Sequence, residues 1–313
     1  MNLPLGGIGG ALFGSSSVYA QRVDSARVAG NSGATVRLID AASRSGEPGV
    51  NLTAWNMPLY HATRSTPRST VTFSNCLGGS SEVPAEFANA MRSVPIPAGA
   101  KPSDDADAHL AIYDSSTDQL WELWRAEKGA NGSMAACWGG RIDAVSKASG
   151  RFSGSSGATA SGLSMIGTQI TQAEVRAGRI DHAIGIVLPS VRAGRLSYPA
   201  QRTDGTSSDS NAPMQGQRFR LDPSLDVDAL HLTPLATMIA KAGQTYGFIC
   251  INSGGGISMI AESPLPAQTV GKPNPWPAIM GARPRGDYRG KDWFQLEGFP
   301  WSRLQAIEPN WRG

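Results

Sequence analysis

Four side chains that could act together on a sugar alternate along one short stretch of the chain: His109, Tyr113, Glu122 and Trp124. Aromatic rings stack on the apolar faces of pyranoses and furanoses, while carboxylate and imidazole groups bind the hydroxyls. A glutamate among aromatic rings also loses hydration, which raises its pKa and suits it to act as a general acid. We therefore predict catalytic roles for Glu122 and His109 and substrate binding by Tyr113 and Trp124.

A predicted β-hairpin brings these four side chains to one face. Segments 109–114 and 119–125 alternate between apolar and polar residues, and a Ser-Ser-Thr-Asp turn joins them. Pairing Asp114 with Gln119 places the four candidates on the same side. The opposite face is apolar and is predicted to lie in the main core through Leu110, Ile112, Trp121 and Leu123.

Glycosidases use two carboxyl groups about 5 to 9.5 Å apart, and the sequence gives no clear partner for Glu122. In the structural alternative, Glu122 pairs with Arg125 or Arg141 and the aromatic rings simply pack. Three acidic residues are eligible as the second carboxylate: Asp107, Asp143 and Asp181.

His182 is the third candidate for a catalytic role. In a strand it would lie on the same face as Ile180, Ile184 and Ile186, within an apolar run, which is typical of a hydrogen-bonded histidine in the core. The functional alternative places it on the floor of a cleft beside Glu122, as a base or as a ligand for a sugar hydroxyl.

Arg202 and Asp204 form a second group of candidates, in a loop that follows Tyr198. We predict that they bind a hydroxylated or acidic ligand. A surface ion pair between the two is the alternative.

Other chemistries have little support. The four histidines and three cysteines lack the spacing of a metal site, although the acidic run 104–107 offers oxygen ligands of the kind that calcium takes. Ser253–Gly256 joins two predicted strands with no helix after it, which favours a hairpin turn over a phosphate loop. We predict no metal, no cofactor and no nucleophilic serine, and we expect the cysteines to be buried thiols.

The composition favours a β-rich fold. With 37 Gly, 21 Pro and 17% charged residues in 313, the chain has many turns that join short strands. We predict a mainly β, β-sandwich or jelly-roll-like single large domain with one packed helix, with α+β as the alternative.

The net charge is +3, and the basic residues are scattered without a dense run, so nucleic acid is not a predicted partner. No apolar run is long enough to insert into a membrane.

Three segments are predicted along the chain. Residues 1–20 form a flexible N-terminal arm, which resembles a signal peptide at its Val-Tyr-Ala end but lacks the basic residues and strong apolar run that would precede it. Residues 21–263 form the β-rich domain. Residues 264–313, rich in Pro, Gly and Trp, wrap the domain as ordered coil.

Two helices have clear signals. Thr233–Thr245 is predicted to be the longest, because a capping Thr precedes Pro at the first helical position and Leu235, Met238 and Ile239 keep one face apolar. The capping box Thr171–Glu174 opens a short one. Strands are predicted at 34–38, 69–73 and 180–188, and a hairpin is predicted from 248–252 and 257–261.

Short motifs between residues 107 and 261 carry a resemblance to a known family. They are Asp107-Ala-His109, Leu120-Trp-Glu122-Leu-Trp124, Gly157-Ala-Thr-Ala-Ser-Gly-Leu163, Arg179-Ile-Asp-His182-Ala, Pro199-Ala-Gln-Arg202, Arg218-Phe-Arg-Leu221 and Gln244-Thr-Tyr246-Gly247. In them the chain resembles a poorly characterised family of actinobacterial exported proteins, also found among genes of phages that infect those bacteria. The resemblance implies an exported or particle-borne setting and supplies no catalytic roles.

These patterns predict a protein that works outside a reducing cytosol, either extracellular or on a virion surface. We predict that it engages a cell-envelope or extracellular polysaccharide, as a minor tail or receptor-recognition component of a phage. One alternative is a secreted glycoside hydrolase or polysaccharide lyase. Another is a structural particle protein without a ligand. Assembly into a homo-oligomer or a particle is expected in either setting.

Overall fold

The strands of the chain are short, as the many turns predict. The computed structural model describes residues 12–78, 82–280, 287–288 and 291–313. In chain order the strands are β1 Gly49–Asn51, β2 Leu59–Ala62, β3 Arg68–Ser69, β4 Val71–Phe73, β5 Val94–Pro95, β6 Leu110–Asp114, β7 Gln119–Lys128, β8 Met134–Asp143, β9 Ile184–Leu188, β10 Arg218–Leu221, β11 Phe248–Ser253, β12 Ser258–Ile260, β13 Asp287–Tyr288, β14 Lys291–Gln295 and β15 Leu304–Ala306.

Two large sheets account for nearly all of these strands. The larger has eight strands in the order β13-β14-β1-β12-β9-β11-β10-β15, and the smaller has five in the order β2-β6-β7-β8-β4. Both sheets mix parallel and antiparallel pairs. A short ribbon of β3 and β5 completes the pairing.

Helices cover the sheets and are fewer and mostly short. None in the described part of the chain is long and apolar enough to cross a bilayer. The predicted β-rich class is confirmed. The helices are α1 Ser32–Ser45, α2 Ala85–Met91, α3 Gln172–Ala177, α4 Pro234–Thr245, α5 Leu265–Gln268 and α6 Trp276–Met280, with 3-10 turns at Val145–Lys147, Ile166–Thr168, Asp228–Leu230 and Trp301–Arg303.

The core has a layered arrangement, because alternate residues of a strand enter different clusters. Between the two sheets, Ala111 and Leu120 of the smaller sheet pack with Ile249 and Ile251 of the larger. The outer face of the larger sheet packs against α1 and α4 in the largest cluster. The outer face of the smaller sheet packs against α2 in a third cluster. The arrangement is that of a β-sandwich with helices outside both sheets.

The hairpin that carries the predicted site has the predicted register. Asp114 faces Gln119 and Ala111 faces Glu122. The apolar face is buried as predicted, although in the cluster beneath α2 and not in the largest one.

Arg125 in β7 has a left-handed backbone with φ 48°. Ala126, the next residue, is buried in the same cluster as Leu123, so the alternation of faces ends at Arg125 while the pairing with β8 continues in register.

The prediction of the longest helix is wrong. Helix α4 forms over Pro234–Thr245 and buries Leu235 and Ile239, but α1 has 14 residues against its 12. The segment 34–38, predicted as a strand, lies inside α1. Its Val36 packs with Ile39 on one helical face, so tertiary packing outweighs the β-propensity of the local sequence.

The predicted hairpin from 248–252 and 257–261 is also wrong. Strands β11 and β12 form as expected, yet β9 lies between them, parallel to β11 and antiparallel to β12. The turn Gly254–Gly256 therefore crosses the end of β9 instead of closing a tight hairpin. Strand β9 itself begins at Ile184, four residues later than predicted.

Both ends of the chain are more firmly built into the domain than predicted. Of the predicted arm, residues 1–11 lie outside the described residues, while Phe13, Val18 and Tyr19 are buried in the cluster between the sheets. The tail predicted as coil supplies strands to both ends of the larger sheet, through β14 and β15.

The cysteines differ from the predicted set of buried thiols. Cys76 and Cys137 form a disulfide that joins the segment after β4 to β8. Cys250 is a free, buried thiol in β11, and burial raises its pKa well above the ordinary value.

Replacing Ile239 by Ala should lower the free energy of unfolding by about 2 to 4 kcal/mol, because the side chain is fully buried between α4 and the larger sheet. Urea denaturation measures this change. Met238→Ala is the matched control and should lower the free energy of unfolding by less, since Met238 packs against the same cluster but is only partly buried. A loss well below about 1 kcal/mol in Ile239→Ala would place α4 outside the cooperative core.

Candidate functional site

Two adjoining cavities form an open groove at one end of the sandwich. Their volumes are about 640 and 490 Å³, and four residues line both. We call the combined space the groove and the shared residues its centre. The centre consists of Asp107, His109, Asn252 and Ser253.

The larger cavity lies at the end of β11 and the start of β12, on either side of the end of β9. Strand β11 ends at Ser253, and the glycine turn that follows passes over the end of β9 before β12 begins. Glycines leave this wall free of side chains. Two tryptophans, Trp55 and Trp293, contribute to the lining, and Glu47 adds a carboxylate to that of Asp107.

The smaller cavity is lined by β7, β8 and two loops. Trp124 and Trp138 stand directly opposite each other in the register of β7 and β8, and both line the cavity. Segment 158–160 and the loop with Arg202 and Asp204 form the other walls.

Asp107 is held at the start of the hairpin by its own loop. Its backbone N–H donates to the Asp105 carboxylate at 2.9 Å, and its carbonyl accepts from the Arg125 N–H. One carboxylate oxygen, Oδ1, accepts a hydrogen bond from Trp124 Nε1 at 3.1 Å. Of the three acids considered as a catalytic carboxylate, Asp107 lines the groove. Asp143 and Asp181 are exposed and pair with neighbouring arginines.

His109 is buried at the centre with one unused ring atom. Only 3% of the residue is exposed, and Nδ1 has no hydrogen-bond partner. Burial lowers the pKa of the ring, while Asp107, Asp105 and a hydrogen bond to the Ala158 backbone oppose that shift. The imidazole is therefore neutral near pH 7, and its Nδ1 is a buried atom without a hydrogen-bond partner among the described residues.

Arg202 and Asp204 line the smaller cavity but do not form the ion pair considered as the alternative. The Arg202 guanidinium donates to the carbonyls of Gly157, Thr159 and Ala160. These bonds, made by Nε and Nη2, hold the loop 157–160. The Asp204 carboxylate accepts from Gln215 Nε2, and Gln215 Oε1 accepts from the Asp204 N–H.

Glu122 lies behind the groove, between the sheets, and does not line either cavity. Its carboxylate accepts from the Ser164 hydroxyl and, at 3.1 Å each, from the backbone N–H groups of Met165 and Ile166. Neither arginine considered as its partner contributes. Burial raises the pKa of Glu122 to about 7, although the three donors pull it down.

His182 and Tyr113 are likewise used inside the fold. His182 Nε2 lies 3.2 Å from the carboxylate of Glu174, and its Nδ1 bonds to the Ala183 carbonyl. Burial lowers the pKa of His182 and the Glu174 charge raises it, with a net rise. Tyr113 donates its hydroxyl to Asp118 at 3.0 Å. His182 is thus the hydrogen-bonded core histidine, and neither residue lines the groove.

Sequence reasoning missed half of the centre. Asn252 and Ser253 follow the buried strand β11, and the glycines after them were interpreted as a hairpin turn. Three glycines next to polar residues at a strand end were the available signal, since such a segment leaves space for a ligand to approach the backbone. Across the described ranges, no group of three or more His, Cys, Asp and Glu side chains is placed to hold a metal ion.

Comparisons with protein-family models, curated proteins and solved structures gave no match for this chain. The resemblance inferred from short motifs therefore stays a prediction.

Replacing Glu122 by Gln should flatten the pH dependence of stability between about pH 4.5 and 7. The folded pKa lies above the ordinary value of 4.5, so the folded state binds the proton more tightly than the unfolded chain does. The free energy of unfolding therefore falls as pH rises through this window. Urea denaturation at several pH values measures the slope.

The matched control is Glu127→Gln, an exposed position near the end of the same strand, which should keep the slope of the unsubstituted protein. An unchanged slope in Glu122→Gln would contradict the assignment of this titration to Glu122.

Proposed function

We propose that this protein binds a cell-envelope or extracellular polysaccharide in the groove. The observation that carries the proposal is the distribution of tryptophans, two in each cavity, on either side of a polar centre. They are Trp55 and Trp293 in the larger cavity and Trp124 and Trp138 in the smaller. Tryptophan faces suit the apolar faces of sugar rings.

The shape of the groove favours a polymer over a small metabolite. Pockets for small molecules enclose most of the ligand surface, whereas here two open cavities of similar size meet at a shared centre. A chain of several sugars would contact both. The carboxylate, imidazole, amide and hydroxyl groups of the centre match a ligand with many hydroxyls.

An oxidising location fits the proposal. Disulfides form and persist in extracellular settings and on virion surfaces, and they are rare in the cytosol. The Cys76–Cys137 disulfide lies beside the smaller cavity, since the next residue, Leu77, lines it. The resemblance to exported and phage-borne proteins supports the same location and the role of a minor tail or receptor-recognition component, with oligomer or particle assembly.

Among the alternatives, the groove favours a glycan ligand over a purely structural particle protein, because a structural role does not need an open cleft with an unused buried histidine atom. A polysaccharide lyase must neutralise a uronate carboxylate. Among the described residues, the lining has three acidic side chains, Glu47, Asp107 and Asp204, against one arginine, Arg202. This balance of charge favours hydrolysis of a neutral glycan over lyase action on a uronate.

Trp124→Ala should weaken glycan binding about tenfold or more, which corresponds to about 1.4 kcal/mol, because it removes one ring of the smaller cavity and the donor that orients Asp107. A glycan array with envelope and plant cell-wall polysaccharides identifies the ligand, and calorimetry with the best-bound oligosaccharide gives Kd.

Trp311→Ala is the matched control, since this tryptophan packs near the C-terminus, away from the groove, and its variant should bind like the unsubstituted protein. Binding to no glycan on the array, or equal affinity for Trp124→Ala, would refute the proposal.

A further inference from the structure

Two carboxylates line the smaller cavity together, and each is fixed in a similar way. Asp107 accepts from the indole N–H of Trp124, and Asp204 accepts from the side-chain amide of Gln215. Both donors are uncharged, and each bonds to a single oxygen, Oδ1. Among the residues that the structure describes, neither carboxylate has a hydrogen bond to its Oδ2 or a salt bridge. Both can therefore offer Oδ2 to a ligand.

The buried imidazole of His109 independently indicates a ligand at the same place. Its Nδ1 is shielded from solvent and has no partner in the described part of the chain, whereas the large majority of buried side-chain polar atoms in folded proteins have one. His109 lines both cavities, so a ligand at the centre would lie beside this residue, and a ligand hydroxyl that reached Nδ1 would complete its hydrogen bonding.

The charges of the groove select the class of ligand. Glu47, Asp107 and Asp204 contribute three negative charges to the lining, and Arg202 contributes one positive charge. No lysine is among the described residues that line either cavity. A uronate, sulfate or phosphate group would meet repulsion here, whereas a neutral sugar would not.

We propose that the groove hydrolyses a neutral polysaccharide, with Asp107 and Asp204 as the two carboxyl groups that act on the glycosidic bond. This inference rests on the proposed function, since the same groove must first bind the glycan. One carboxyl group donates a proton to the leaving oxygen as the bond from that oxygen to the anomeric carbon breaks. The second assists attack from the opposite side of the sugar.

The reaction consumes one water molecule. The oxygen of water joins the anomeric carbon, the leaving oxygen keeps one proton, and both carboxyl groups return to their initial protonation states. His109 binds substrate in this scheme, by accepting a hydrogen bond from a sugar hydroxyl at Nδ1.

The test uses the full chain and a panel of polysaccharides, namely neutral arabinan, galactan, mannan and glucan with polygalacturonate as the acidic comparison. Release of reducing ends is measured for the unsubstituted protein, Asp107→Asn and Asp204→Asn. We expect release from at least one neutral polysaccharide, none from polygalacturonate, and a loss of about 10²- to 10⁴-fold in each variant. Affinity for the same glycan should change far less.

Asp143→Asn is the matched control, because Asp143 is an exposed aspartate at the end of β8 and does not line the groove; it should keep full activity. A measurement without substitutions covers the case in which an asparagine variant fails to fold. Carbodiimide labelling of the unsubstituted protein, mapped by mass spectrometry, should modify Asp107 and Asp204, abolish hydrolysis, and be blocked at both residues by the bound oligosaccharide.

The outcomes separate the two proposals. Glycan binding without release of reducing ends overturns hydrolysis and leaves polysaccharide binding intact. Full activity in both asparagine variants, or labelling of Asp107 and Asp204 without loss of activity, overturns the assigned pair. Absence of both binding and hydrolysis overturns the proposed function itself.

Discussion

The constraint on which the structure depends is that an irregular segment, residues 150–166, contributes buried residues to the layer between two sheets. Buried backbone N–H and C=O groups need hydrogen-bond partners, and this segment lacks a strand ladder to provide them. Side chains supply part of the need. Glu122 accepts from Met165 and Ile166, the Asn252 amide oxygen accepts from Ala160, and Arg202 donates to three carbonyls between Gly157 and Ala160.

This requirement divides the polar residues of the region into two groups. Glu122 and Arg202 carry charge and bond to the backbone of this segment, so a reactive residue type in a promising pattern becomes part of the scaffold. His109, Asp107 and Asp204 each keep an atom that no described residue uses, and they line the groove. The first group bonds to the backbone of the segment beside them, between residues 157 and 166. A binding or catalytic site needs supporting residues that are held by their own hydrogen bonds and that fix the position of the residues that line the site.

The sequence predicts local pairing far better than long-range placement. The register of the hairpin and the capping box at Thr171 follow from alternation and turn chemistry, which are local. The insertion of β9 between β11 and β12 depends on pairs that are 64 to 73 residues apart in sequence, and no local pattern encodes it. Alternation along the strands places Glu122 and His109 on one face of the hairpin. It does not show that residues 164–166 cover Glu122 while His109 lines a cavity, because residues 164–166 are distant in sequence from the hairpin.

We propose that the polar atoms at Asp107, His109 and Asp204 that have no partner among the described residues form the ligand site. A crystal structure with the neutral oligosaccharide that binds most tightly tests it directly. We predict a sugar ring over the centre of the groove, with a hydroxyl within hydrogen-bond distance of His109 Nδ1 and the Arg202 bonds to the loop unchanged. A sugar bound away from Asp107 and His109, or contacting the guanidinium of Arg202 released from its carbonyls, would contradict this assignment of the site.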